Sequence, residues 1–230
     1  AVLKNAPELS LGNIIGSNVA NILLVLGIAG MVKNINIPSI SKFDNYFHFL
    51  ITVTFILIFN FFSLNFYTGI IFIFVFFLYL FTVIKKMDKS SPDQIEKYDG
   101  LISKRIFASP TLIGVPIIII SILITFYGAD LAVISAIEIS LLFGISESVI
   151  GLTVVAIGTS LPEIAAGITA ARKMRPNLIF GNIIGSNLYN ILLILGFSSL
   201  FENFSYNTNS VMHEAIFLIL STTILLLIIN

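Results

Sequence analysis

GNIIGSNVANILLVLG occupies positions 12–27, and GNIIGSNLYNILLILG occupies 181–196; 13 of the 16 positions are identical at a constant offset of 169. The same offset aligns Lys4 with Lys173 and Pro7 with Pro176, so the likeness extends into the segment before each stretch. This is an internal duplication. Each copy interrupts an apolar run with polar residues four apart: Asn13, Ser17 and Asn21 in the first, Asn182, Ser186 and Asn190 in the second. On a helix that spacing gathers each set on one face.

The surrounding chain has the composition of a membrane protein. Of its 230 residues 57% are hydrophobic and 10% charged, and the mean hydropathy is +1.03. Soluble domains carry about 25% charged residues. Apolar stretches long enough to cross a hydrocarbon core of about 30 Å lie at 13–32, 45–62, 66–84, 110–142, 149–171, 181–201 and 212–229. The fourth exceeds one perpendicular crossing and is expected to be strongly tilted or bent. The expected fold class is all-α, a polytopic transmembrane bundle. Net charge is zero, so no basic field would attract nucleic acid. The absence of cysteine excludes disulfides and thiolate metal sites, and any metal must be held by oxygen atoms or the two histidines.

One hydrophilic stretch, 85–105, is long enough to be a linker, with six basic and four acidic residues around Ser90, Ser91 and Pro92. It divides the chain into a first membrane repeat at 1–84, a loop at 85–108 and a second membrane repeat at 109–230. Alternating sides from this loop places Lys33, Lys42, Arg172, Lys173 and Arg175 beside it, gathering eleven of the twelve basic residues and leaving only Lys4 opposite. By the positive-inside rule the loop is expected in the cytoplasm. Five crossings separate the matching segments, so the copies enter from opposite faces and the repeat is inverted. Inverted repeats build many secondary transporters, with the substrate near the bilayer midplane between the halves.

The span at 149–171 contains Gly158, Thr159, Ser160, Leu161, Pro162 and Glu163 in succession. Pro162 has no N–H for the Gly158 carbonyl and crowds the preceding turn, so carbonyls near Ala156, Ile157 and Gly158 are expected to be freed for a cation. Thr159, Ser160 and Glu163 share a helical face. An ionised carboxylate at mid-membrane costs roughly 2.5 to 3.5 kcal/mol on insertion scales. No Lys or Arg lies within a span, leaving a mobile cation or a proton as its partner. The asparagine and serine oxygens suit a hard cation such as Ca²⁺, which takes about six to eight oxygen ligands, and they also suit helix-to-helix hydrogen bonds.

Elsewhere the simpler readings prevail. Gly12 with Gly16, and Gly181 with Gly185, suggest close helix packing. His48 and His213 read as interfacial imidazoles near span ends. Glu138, Glu147 and Glu202 read as solvated charge on the external side, and Asp130 as either a path-lining or a helix-ending residue. Phenylalanines between Phe55 and Phe81 read as lipid-facing bulk. Ser160 has no histidine at its depth to activate it, so no hydrolase is expected.

The sequence GTSLPE at 158–163, with GNIIGSN at 181–187 and again at 12–18, resembles the alpha repeats of the cation/calcium exchanger superfamily, most closely the prokaryotic sodium/calcium exchangers. The resemblance runs the length of the chain and corresponds to the interior of a longer exchanger. It implies an antiporter of Ca²⁺ against Na⁺, with no cofactor, in which Glu163 is one of two carboxylates that bind Ca²⁺. It also implies that Thr159, Ser160 and the Ala156 carbonyl join the ions, with Ser186 and Asn190 from the second repeat and Ser17 and Asn21 from the first. The span at 110–142 would slide to switch access.

Two features depart from that pattern. Residue 1 is Ala, and 1–10 lacks the charged start and apolar run of a signal peptide, so the first residue reads as an interior point. The offset then puts the twin of Glu163 about seven residues before it, and the twin of 66–84 would begin at 235. A piece of this extent is expected not to exchange ions alone. Second, Asn190 stands where many relatives carry Asp, which removes a titratable charge. The rival readings are exchange of Ca²⁺ or another divalent cation against protons, and a passive cation channel lined by the same polar stripes.

Overall fold

The computed structural model describes residues 7–35, 42–87, 115–204 and 212–229. We number its helical segments α1 (7–32), α2 (Lys42–Phe61), α3 (Phe66–Met87), α4 (Val115–Phe143), α5 (147–159), α6 (Leu161–Arg172), α7 (Pro176–Ser198) and α8 (Met212–Ile229). Among the described residues, four of them, α1, α2, α3 and α7, are long and apolar enough to cross a membrane. The pair α5 and α6, bent by 47° at their junction, makes a fifth crossing if taken together. At 29 residues and about 1.5 Å per residue, α4 is about 44 Å long, well over the hydrocarbon thickness, as its sequence suggested. Its first stretch, 110–114, and the linker from 88 onward lie outside the described residues.

The two duplicated segments form α1 and α7, which cross at the centre of the bundle. Side-chain hydrogen bonds there join Asn18 to Asn190 and Asn21 to Asn187. One residue number rises as the other falls, so the helices cross antiparallel, as an inverted repeat requires. Around this pair, α5 packs along the first half of α1 and α6 along its second half. Helix α3 lies against the last turns of α7, and α8 lies against α2. Ile183, Leu188, Ile191, Leu192 and Leu195 of α7 are fully enclosed. In lipid such burial contributes packing contacts more than release of water.

Both copies leave the regular α-helical pattern at the same place. Asn21–Val25 in α1 and Tyr189–Leu195 in α7 are π-helical turns, and α5 has another at Gly151–Val155. A π-turn widens the helix by one residue and re-aims the side chains that follow, and such turns are frequent at functional sites. Helix α3 begins with a reciprocal cap: Asn65 Oδ1 accepts from the amides of Tyr67 and Thr68, while the Asn65 amide donates to Thr68 Oγ1.

Gly16 lets α1 meet α5 at backbone distance. A methyl group at Gly16 would sit 2.3 Å from the Leu152 carbonyl oxygen, and one at Gly151 would sit 2.4 Å from that of Leu9. The close packing expected of the glycines therefore holds for Gly16. It fails for Gly181 and Gly185, beside which a methyl would meet nothing within 4 Å, because their faces open on a cavity.

The histidine and phenylalanine readings also need correction. Helix α2 begins at Lys42, so His48 lies well inside it and is 1% exposed, on a face shared with Asn45 and Thr52. Asn45 Nδ2 on that face donates to the Leu226 carbonyl of α8. Helix packing, not an interface, surrounds His48, whereas His213 is exposed at the start of α8. Phe55, Phe59 and Phe72 are core residues, while Phe61, Phe62, Phe74, Phe77 and Phe81 face outward as expected.

Candidate functional site

The junction of α5 and α6 is where the sequence break becomes geometry. Ser160 leaves the helical path at φ −89° and ψ −2°, and Pro162 sits in the first turn of α6, where its missing N–H is tolerated. The chain resumes at once, with the Ile164 amide donating to the Ser160 carbonyl. Of the carbonyls expected to be orphaned, those of Ala156 and Ile157 are instead occupied. The Ser160 amide donates to the carbonyls of Ala156 and Ile157, and the Thr159 hydroxyl lies within reach of the Ala156 oxygen. A helix that turns a corner at Ser160 lets its last amide reach back, which a straight helix with an interior proline would not allow. The Ala156 carbonyl thus accepts from the Ser160 amide, and the single Thr159 hydroxyl hydrogen goes either to it or to Asn13 Oδ1.

Beside this corner lies a cavity of about 510 Å³ between α1, α5, α6 and α7. Asn13, Ser17 and Asn21 reach it from α1, Thr159, Ser160 and Glu163 from the bend, and Asn182, Ser186 and Asn190 from α7. Of the residues anticipated from sequence, Glu163, Thr159, Ser160, Ser186, Asn190, Ser17 and Asn21 are thus brought together, and Ala156 is not among the lining residues.

Hydrogen bonds tie this lining across the repeats. Thr159 Oγ1 donates to Asn13 Oδ1 at 3.0 Å, and Ser186 Oγ to Glu163 Oε1 at 3.3 Å. Asn190 Nδ2 donates to Ser17 Oγ at 3.1 Å. Three buried oxygens at the cavity have no partner: Glu163 Oε2, Ser160 Oγ and Asn21 Oδ1. Unpaired buried acceptors are costly, and the residues that carry these line one cavity, whose oxygens are of the kind a hard cation takes. Among the described residues no three His, Asp or Glu side chains converge, so the arrangement offers one carboxylate amid neutral oxygens.

Two residues escaped the sequence reading. Asn18 and Asn187 are both 0% exposed and link the helices. Asn18 Oδ1 accepts from Asn190, Asn187 Oδ1 accepts from Asn21, and Asn187 Nδ2 donates to the Asn18 carbonyl. They lie off the four-residue stripe. The available signal was an asparagine three residues before Asn21 and again before Asn190, identical in both copies. Asp130 lies within α4, but its side chain and that of Glu147 are outside the described ones. Glu138 is exposed and Glu202 half-buried.

Comparison with known proteins agrees with this construction. A family model described as sodium/calcium exchanger protein matches residues 1–85 and 113–230. The putative antiporter CaxA of Alkalimonas amylolytica is 35% identical over 193 residues, covering 82% of this chain and 59% of its own length. The inner membrane protein YrbG of Escherichia coli is 31% identical over 205 residues, covering 87% and 62%. Among solved structures, the sodium-calcium exchanger NCX_Mj superposes with a TM-score of 0.68 at 29% identity, covering 100% of this chain and 72% of that one. The chain spans about three fifths of the length of the curated relatives it matches.

Proposed function

The chain belongs to the sodium/calcium exchanger family, and from that premise we propose that the intact protein is a secondary antiporter exchanging Ca²⁺ for Na⁺ by alternating access. The observation that carries this reading is the cavity at the antiparallel crossing, where Glu163 Oε2, Ser160 Oγ and Asn21 Oδ1 are buried without partners. Glu163 supplies the charge that makes a divalent ion worth dehydrating. Ser17, Ser160, Ser186, Thr159, Asn21 and Asn190 supply neutral oxygens that replace water without trapping the ion electrostatically. The Ala156 carbonyl joins them when the Thr159 hydroxyl gives its single hydrogen to Asn13 Oδ1 instead. Sodium competes for the same oxygens, so that its entry expels calcium. Because both copies of the repeat line the cavity, exchange of their conformations opens it to alternate faces. The protein resides in a prokaryotic inner membrane with 85–108 in the cytoplasm, and its partners are inorganic cations and lipid.

The test is sodium-gradient-driven uptake of radioactive calcium by the full-length protein in proteoliposomes, with and without Glu163→Gln. Uptake is expected from the parent and not from the variant, with membrane insertion equal. Normal uptake by the variant would remove Glu163 from the site. Uptake driven by a proton gradient without sodium would select proton exchange, and flux persisting with no exchangeable counter-ion would select a channel.

A further inference from the structure

The two copies differ in their hydrogen bonds, and the difference falls on a pair of asparagines. Under the offset of 169, Asn18 is the twin of Asn187 and Asn21 the twin of Asn190. Two bonds obey that exchange: Asn21 Nδ2 to Asn187 Oδ1 at 3.2 Å, and Asn190 Nδ2 to Asn18 Oδ1 at 3.0 Å. A third does not. Asn187 Nδ2 donates to the Asn18 carbonyl at 3.2 Å, whereas Asn18 Nδ2 is buried with no partner at all. Asn190 Nδ2 also donates to Ser17 Oγ, and among the described residues no bond from Asn21 to Ser186 mirrors it.

When two inverted copies alternate access, the second state is the first with their conformations exchanged. Bonds that obey the exchange persist through the transition; bonds that break it must reverse. We propose that Asn18 and Asn187 are positioning residues that form a two-position latch between the repeats. In the state described here the Asn187 amide group holds the Asn18 carbonyl. In the opposite state Asn18 Nδ2 takes the Asn187 carbonyl, and Asn187 Nδ2 is released. Each state leaves one buried amide unpaired, so neither is favoured by this contact alone and the latch keeps both accessible. The symmetric bonds meanwhile hold the amides of Asn21 and Asn190 at the cavity throughout. This inference rests on the alternating access proposed above.

The test uses the full-length protein carrying Ile194→Cys, since Ile194 lines the cavity and the sequence has no cysteine. In oriented proteoliposomes free of sodium and calcium, a maleimide that cannot cross the bilayer is added to either side. Asn187→Ala removes the donor used in the present state, and Asn18→Ala the donor used only in the other. Each also removes one symmetric acceptor, a loss common to both. Side-specific labelling is expected to shift in opposite directions, each by roughly threefold to tenfold, the population effect of about one hydrogen bond, with the double variant between them. Asn18→Asp and Asn187→Asp, which keep Oδ1 and lose the donor, are expected to repeat the opposite signs. Shifts in the same direction, or none, would overturn the latch, and a general packing defect moves all variants alike. Calcium uptake by the unsubstituted protein is measured alongside. Uptake with unmoved labelling overturns the latch alone, and absent uptake overturns the exchange reading beneath it.

Discussion

Asn190 shows how one atom fixes the chemistry of a position. Its Nδ2 gives hydrogen bonds to Ser17 Oγ and Asn18 Oδ1, and a carboxylate has no hydrogen to give either. Asn190→Asp would set an anionic oxygen against the Asn18 oxygen while adding a second charge at the cavity. Its expected effect in cation-free detergent is a loss of about 1–3 kcal/mol of stability, with a larger calcium-induced rise in Tm than the parent shows. Thermal unfolding across a calcium series measures both, and an unchanged cation-free Tm would count against the donor role. Thr159→Val strips the hydroxyl whose single hydrogen goes to Asn13 Oδ1 or the Ala156 carbonyl. About 1 kcal/mol of destabilisation is expected, readable as a lowered Tm. His48→Leu runs the other way. Both ring nitrogens of His48 are buried without a partner, so an apolar side chain of similar volume is expected to hold or raise Tm.

At the scale of elements, twin glycines separate packing from cavity. A methyl at Gly16 collides with the backbone of α5, while one at Gly185 meets open space. Gly16→Ala is therefore expected to cost about 1–3 kcal/mol through overpacking. Gly185→Ala is expected to leave Tm unchanged or slightly higher, since a helical glycine gives up roughly 0.5–1 kcal/mol relative to alanine. Equal Tm values for the two would refute the close approach of α1 to α5. The bend between α5 and α6 belongs to the same scale. Proline in the first turn of α6 and the amide of Ser160 reaching back to Ala156 and Ile157 occupy backbone groups of the corner, while Ser160 Oγ there stays unpaired.

At the scale of the molecule, the antiparallel crossing orders the ends of the bundle. The segment just after α1, at Asn34 and Ile35, adjoins the turn into α7 at Met174, Arg175 and Pro176. The turn before α3 pairs instead with the segment after α7, through reciprocal backbone bonds between Leu64 and Phe204. Cysteines at Lys33 and Met174 are expected to react with an impermeant maleimide from the same side of the membrane, and cysteines at Ser63 and Glu202 from the opposite side. Labelling of Met174→Cys and Glu202→Cys from one face would refute the crossing. By the positive-inside rule the side bearing Lys33 and Arg175 is expected to be the one reached from the cytoplasm.

Membrane residence, the number and order of the apolar stretches, the inversion of the repeat and most cavity residues were legible in the chain itself. Each depends on local composition, helical spacing or counting, and lipid leaves a backbone few alternatives to the helix. The fate of a freed carbonyl, the burial of His48, the opposite surroundings of Gly16 and Gly185 and the asparagine latch were not. All four depend on which side chain or amide from a distant segment arrives at a given atom. That is set by how α1, α5, α6 and α7 pack, because periodicity assigns a residue to a face without saying what the face will meet.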